Sequence, residues 1–326
     1  MRAGKAGAGV TSTWSRRHAH NHIKAKGFRG PVATFPRYAW SMNATATIRD
    51  IIVDVRDQLS RANIDDTRLT AELLLSFALG CDRSDLLAKG RDPLDAPSRA
   101  RLDAALARRL SHEPIEYITG WREFYSRRFI CEPAALIPRP ETEGFIDESK
   151  KRLPKDFAGP AIDLGTGAGA LAITLALEFP RLHIIATDIS ASALGVARKN
   201  AQLHKVEKRV TLACGDWLSA FSPRKQFGLI VANPPYVDSG YAPIMHPEVR
   251  DHEPHVALFG GHGGYDQIRR LLPQVAPRLA PGGIYIQEFA AGHADEVAAM
   301  AEKAGLKVIE IVRDFAGIER TLVAGV

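Results

Sequence analysis

Asn233-Pro234-Pro235-Tyr236 ends an apolar run that begins at Phe227. Phe227-Gly228-Leu229-Ile230-Val231 has the length and branching of a short buried strand. Prolines lack N–H groups and fix φ, so a sheet cannot continue through Pro234 and Pro235. Asn233 therefore stands where the strand stops, with a stiff turn behind it and the Tyr236 ring beside it. Ligands of open α/β sheets bind beyond the carboxyl ends of strands, so chemistry is expected here. Asn and Pro are also common at ordinary strand exits, and the box gains its weight from what surrounds it.

A second stretch, Asp163-Leu164-Gly165-Thr166-Gly167-Ala168-Gly169-Ala170, follows an apolar segment and opens a helical one. Glycines let the backbone turn tightly and approach a ligand without Cβ clashes, and a helix start offers N–H groups. The spacing is Gly-x-Gly-x-Gly, neither the dinucleotide pattern nor a phosphate loop ending in Gly-Lys-Ser/Thr. Farther on, Asp188 closes the next strand in Ala186-Thr187-Asp188-Ile189. An acid there can accept ribose hydroxyl hydrogens and repel a 2′-phosphate; it can also cap the following helix, as Ser190 could equally well. Gly215-Asp216-Trp217 puts an acid and an indole at the same rim, suited to an adenine or, alternatively, to a buried structural Trp.

These residues need strands to hold them. From Gly159 onward, strands are expected at about 160–165, 182–187, 209–213, 227–232, 283–288, 306–312 and 320–325. Helices are expected near 168–179, 190–204, 263–279 and 292–304. That alternation is the signature of a doubly wound α/β sheet, and the short turn before Glu319-Arg320-Thr321 predicts an antiparallel last strand. Ile48, Ile51, Ile52, Val55 and Leu59 share one helix face. A second helix, whose apolar residues include Leu69, Leu73, Leu74 and Phe77, can be capped by Asp65 and Asp66 and is stopped by Gly80. A third runs from about Ser98 to Ser111. Between them and the sheet, Tyr117-Ile118-Thr119-Gly120-Trp121, Phe124-Tyr125 and Arg128-Phe129-Ile130 read as strands of a hairpin-like linker. Leu136-Ile137-Pro138-Arg139-Pro140 should be extended, with Glu141 or Thr142 beginning a helix. The expected organisation is a tail over 1–45, a helical substrate-binding domain over 46–115, a linker over 116–150 and a catalytic domain over 151–326.

The net charge of +6 belongs to the tail. Residues 1–41 hold eight Lys/Arg and no Asp or Glu, leaving 35 basic against 37 acidic residues in the body. A near-neutral body argues against a direct nucleic-acid footprint. The tail reads as disordered and would suit an organelle transit peptide, but Met42 just before the first helix makes an upstream start codon the simpler reading. His18, His20 and His22 within it read as incidental. No membrane span is expected, because no long uninterrupted apolar run occurs. Three scattered cysteines fit a reducing cytoplasm, with neither disulfide framework nor metal site.

Taken in order, Gly165–Gly169, Asp188, Gly215-Asp216-Trp217 and Asn233–Tyr236 at the ends of strands one to four resemble class I S-adenosylmethionine-dependent methyltransferases, with a Rossmann-like sheet. The Asn-Pro-Pro-Tyr box, Leu136–Glu143 and the helical N-terminal segment look like the protein-(glutamine-N5) methyltransferases. Tyr117-Ile118-Thr119-Gly120 and Glu248–Pro254 bring it nearest to those that modify peptide chain release factors. The resemblance covers about residues 47–326. It implies that Gly165, Thr166, Gly167, Ala168, Gly169 and Asp188 hold the methionine and ribose parts of S-adenosylmethionine, with Trp217 near the adenine and Asn233 between cofactor and substrate. The substrate glutamine, in a Gly-Gly-Gln motif, is implied to bind Asn233, Pro234, Pro235 and Tyr236, with Tyr236 over the flat amide. A cytoplasmic monomer is expected. Two departures stand out: Gln287-Glu288-Phe289-Ala290, where the family usually has an acid followed by Ile-Gly, and Gly261-His262-Gly263-Gly264-Tyr265 in place of Asp-Gly-Leu. Neither is expected to touch the ligand-binding positions. Other readings are glutamine methylation of a ribosomal protein, adenine-N6 methylation, which shares the Asn-Pro-Pro-Tyr box, and a silent adaptor.

Overall fold

In a computed structural model, residues 46–224 and 226–326 are described, and the basic tail read over 1–45 lies outside them. The chain opens with α1 (Ile48–Arg61), started by a capping box in which Thr47 Oγ accepts from Asp50 N and Thr47 N donates to Asp50. Next come α2 (Thr67–Leu79), α3 (Arg83–Ala88), α4 (Ala96–Leu110) and α5 (Ile115–Thr119). Ile48, Ile51, Val55 and Leu59 are all buried, as the apolar period predicts.

Of the apolar residues of α2, Ala71, Leu74, Leu75 and Ala78 are buried, while Leu69 and Phe77 are exposed. α2 packs inward through Leu74 and Leu75 together with the small Ala71 and Ala78. Asp66 does occupy the N-cap but in the left-handed region and without a side-chain bond, whereas Gly80 ends the helix as expected. The strand read at Tyr117–Trp121 is instead α5 and its left-handed Gly120 cap (φ 85°). Pro114 starts that turn and Gly120 closes it, which outweighs a β-prone composition.

The hairpin is β1 (Trp121–Phe124) with β2 (Arg127–Ile130), antiparallel. Its two turn residues, Tyr125 and Ser126, are both left-handed, and Tyr125 N–H donates to Glu143 at 2.9 Å. A 3₁₀ turn (Pro140–Glu143) leads into α6 (Gly144–Arg152).

From Ala161 the alternation appears as read: β3 (Ala161–Leu164), α7 (Ala170–Glu178), β4 (Ile184–Asp188), α8 (Ala191–Leu203), β5 (Val210–Cys214) and β6 (Phe227–Ala232). A loop region with β7 (Val237–Asp238), α9 (Pro247–His252), α10 (His255–Leu258) and β8 (Phe259–Gly261) intervenes. The rest is α11 (Asp266–Val275), β9 (Leu279–Glu288), α12 (Ala294–Lys303), β10 (Lys307–Arg313) and β11 (Glu319–Gly325). Seven strands form one sheet in the order β10-β11-β9-β6-β3-β4-β5, and β11 runs antiparallel to both neighbours. Successive residues of β6 alternate between two cores: Leu229 and Val231 face the layer with Leu175 and Phe179, Ile230 and Ala232 the layer with Ile268 and Leu272. With helices on both faces, the central strands read as continuous apolar runs, which is why they were legible.

Candidate active site

β3 and β6 are parallel neighbours, yet the chain leaves β3 toward β4 and leaves β6 toward β9, on opposite sides. The strand order reverses between them, which opens a crevice beyond their carboxyl ends. The glycine loop after β3 and the Asn233 box after β6 border that crevice. One cleft there is lined by Gly165, Thr166, Gly167, Ala168, Asp188, Trp217, Asn233 and Pro235.

The loop is held from within. Gly165 N and Thr166 N donate to Thr187 O, Gly169 N to Thr166 O, and Gly167 N to Asp188 Oδ2 at 2.9 Å. Those amides are spent internally, so the loop meets a ligand through its shape and is not an array of free donors for phosphate. At Gly165 (φ 72°) an added Cβ would lie 3.3 Å from the Trp217 ring, and the absence of that carbon lets indole and loop close on one side of the cleft.

Asp188 accepts from Gly167 N with one oxygen and from Ser190 N with the other. The helix cap is Ser190, whose Oγ accepts from Ala193 N. Burial raises the Asp188 carboxyl above the ordinary aspartate range, against the N–H groups that favour its charge. Asp163, 1% exposed, accepts from Thr166 Oγ at 2.6 Å and Ala172 N at 3.2 Å with one oxygen. Its other oxygen, buried in the cleft wall, has no partner among the described residues, and burial pushes this carboxyl up to about 7. Trp217 Nε1 is likewise buried without a partner, and Asp216 at the rim is paired with Arg270 at 2.5 Å.

On the other wall, Asn233 Nδ2 donates to Thr142 Oγ1 at 3.1 Å, while Oδ1 accepts no hydrogen bond among the described residues. Thr142 donates to Glu288 at 2.8 Å, and the Tyr236 hydroxyl donates to the other oxygen of Glu288 at 2.6 Å. Tyr236 is thus anchored in the wall by Glu288, and Asn233 and Pro235 line the cleft. Contrary to expectation, both segments that carry a departure bear on this box, although Glu288 is itself the acid usual at that strand exit and the departure there is Phe289-Ala290. Glu288 holds Tyr236 directly and Asn233 through Thr142. A Cβ at Gly264 (φ 78°) would lie 2.1 Å from Tyr236 O, so the second departure packs bare backbone against the turn.

Three positioning roles escaped the sequence reading, two of them at residues it had named for other reasons, Thr142 in Leu136–Glu143 and Glu288 at the fifth-strand exit. Thr142 and Glu288 carry no spacing signal relative to Asn233. Asn200, fully buried on α8, donates to Ala168 O and to Ile130 O and accepts from Ile130 N, tying the glycine loop to the hairpin. Asp163 had a signal, an acid at the strand end immediately before the glycines.

Residues 50–120 match the PrmC N-terminal domain and residues 150–246 the methyltransferase small domain. The release factor glutamine methyltransferase of Koribacter versatilis is 43% identical over 278 residues, spanning 85% of this chain and 98% of that one. The chain belongs to the release factor glutamine methyltransferase family. Enzymes so named from Geobacter sulfurreducens (36% identity, 85% of this chain and 95% of that one) and Neisseria gonorrhoeae (39%, 78% and 91%) are similar too. Among solved structures, a methyltransferase from Pyrococcus furiosus superposes with a TM-score of 0.48 at 18% identity, over 69% of this chain and 100% of that one.

As a family member the chain is an S-adenosylmethionine-dependent methyltransferase. Its cleft fits that cofactor: an unpaired buried carboxylate oxygen suits a ligand bearing positive charge, an indole suits a planar base, and the inward-bonded loop suits a donor without phosphates.

Proposed function

We propose that the chain transfers the methyl group of S-adenosylmethionine to the side-chain amide nitrogen of the glutamine in the Gly-Gly-Gln motif of a peptide chain release factor. The observation that carries this reading is Asn233 in the cleft wall, whose amino end is tied to Thr142 and whose oxygen has no partner among the described residues. The names and coverage of the similar enzymes support the choice of substrate. In this reading residues 46–115 serve substrate binding, 116–150 are a linker and 151–326 carry catalysis.

Gly165, Thr166, Gly167, Ala168, Gly169 and Asp188 would hold the methionine and ribose parts of the cofactor, and Trp217 would flank its base. When bound, the cofactor supplies a methyl group on a sulfonium, whose leaving group is a neutral thioether. An amide nitrogen is a poor nucleophile because its lone pair is delocalised into the carbonyl. The work of the protein is therefore positioning and electrostatics. Asn233 Oδ1 and the Pro234 carbonyl each accept one amide N–H, which turns the nitrogen lone pair toward the cofactor and favours positive charge developing there. Pro234 and Pro235 keep these acceptors from swinging. An N-methylated protonated amide is strongly acidic, so it passes its proton to solvent water without a strong base.

The test is to supply S-adenosylmethionine labelled in its methyl group together with a release factor, the same factor with the motif glutamine changed to asparagine, ribosomal proteins, and DNA. Label is expected on the motif peptide of the unaltered factor alone. Label on a ribosomal protein or on DNA instead would overturn the assignment.

A further inference from the structure

Glu288 closes β9 and Thr142 sits in the 3₁₀ turn before α6; both are buried, at 1% and 6% exposure. From the three hydrogen bonds that join them to Tyr236 and Asn233 we propose that Glu288, acting through Thr142, is a positioning residue that sets which end of the Asn233 carboxamide faces the cleft. The inference rests on the proposed function for its consequence in turnover.

The reasoning is a count of protons. An ionised carboxylate only accepts hydrogen bonds. Glu288 takes the Tyr236 hydroxyl proton on one oxygen and the Thr142 hydroxyl proton on the other. A threonine hydroxyl has one proton, so Thr142 Oγ1 presents only lone pairs to its remaining neighbour. That neighbour is Asn233, which must turn its NH₂ toward Thr142 and hence its oxygen toward the cleft. The two ends of a carboxamide have almost the same shape, and packing alone would hardly distinguish them. Reversed, Asn233 would set an NH₂ against the NH₂ of a glutamine, donor against donor, and the substrate contact would be lost.

A proton on Glu288, or an amide in its place, breaks the count. In Glu288→Gln the side chain can donate to Thr142 Oγ1, which frees the threonine proton to bond Asn233 Oδ1 and lets the amide flip. Burial raises this carboxyl above the ordinary glutamate range, and Glu141 raises it further, against the Tyr236 and Thr142 donors and Arg320, which favour the ion. Two O–H donors converging on the two oxygens are what an ionised carboxylate accommodates.

The expected turnover of Glu288→Gln on a release factor is lower by about 10–100-fold, the scale of a misplaced contact, with cofactor affinity within about threefold of the parent. Thr142→Val should fall similarly and Thr142→Ser, which keeps the hydroxyl, should stay within about threefold of the parent. Because both act on one chain of bonds, the Glu288→Gln/Thr142→Val double variant should be no slower than the worse single one. Multiplying losses in the double variant, or a full rate in either Glu288→Gln or Thr142→Val, would overturn the proposal. A readout free of any substrate separates this inference from the proposed function. In the unmodified chain, the Asn233 Nδ2 protons should give a nuclear Overhauser contact to the Thr142 methyl group, and in Glu288→Gln it should weaken at least twofold. An undiminished contact would sink the idea even if release factor is the substrate, and the expected loss would support it even if another polymer takes the label.

Discussion

Asn233 and Asp163 are the two side chains on which the cleft is most exposed to test. Asn233→Ala removes the oxygen proposed to receive the substrate amide, and turnover should fall by at least ~10²–10³ while cofactor still binds by calorimetry. Asp163 behaves differently, since its carboxyl is held at about 7 by burial and by the neighbouring Asp188, against the bonds from Thr166 and Ala172. Its folded value lies above the unfolded one of 3.8, so the folded chain binds the extra proton. The resulting penalty is absent below the unfolded value, grows as pH rises between the two, and is complete above about 7. At pH 8, Asp163→Asn should therefore stabilise the ligand-free chain by ~1–2 kcal/mol in a urea titration. The same change removes the unpaired acceptor, so cofactor affinity should drop, and in the parent it should weaken as pH falls below about 7. Stability and binding moving together in this variant would contradict the role assigned to that oxygen.

The elements add what no single residue supplies, because the Asn233 turn is braced from outside the strand that carries it. β9 contributes Glu288 from behind, the 3₁₀ turn contributes Thr142, and the Gly261–Gly264 segment packs its backbone against the carbonyl of Tyr236. Gly264→Ala would place a carbon 2.1 Å from that oxygen at a φ of 78°. The backbone must move, so the variant should lose ~2–4 kcal/mol in chemical denaturation. Turnover should fall with it, while cofactor binding, which depends on the β3 and β4 ends, should change much less. Equal losses in both would mean that the two walls of the cleft are not independent.

Across the whole molecule, the segment from Glu248 to Pro254 joins α4 to the extended segment that precedes the 3₁₀ turn. Arg109 of α4, 5% exposed, pairs with Glu248 of α9 at 2.7 Å, and His252 lies 3.2 Å from Ser111 O. Glu253 pairs with Arg139 at 2.5 Å and accepts from Ile137 N, fastening the extended segment before the 3₁₀ turn. The motif that carried part of the family resemblance is thus also a structural strut. Glu248→Ala strands a buried guanidinium that keeps only the Glu113 carbonyl as partner among the described residues, and it should cost ~2–3 kcal/mol in denaturant unfolding. Glu248→Gln, which retains an acceptor, should lose less; parity between the two would show that charge is irrelevant to the joint.

What the sequence determined by itself was the succession of strand ends and the loops they carry. Apolar runs, glycines needing left-handed backbone and prolines that end a sheet are local properties, so β3 to β6, Gly165–Gly169, Asp188 and the Asn233 box could be read in order. The same local reasoning misjudged Tyr117–Trp121, where a proline start and a glycine cap outweigh β-prone residues, and it left open which side of α2 turns inward, which neighbouring helices select. The tertiary structure alone decided what surrounds each strand end. Thr142 lies 91 residues from Asn233 and 146 from Glu288, and no periodicity spans such distances. Their meeting follows from sheet order, which puts β9 beside β6, and from burial, which obliges every polar group left inside to find a partner. Hydrogen-bond direction, and with it the face Asn233 turns to the cleft, exists only once that packing is complete.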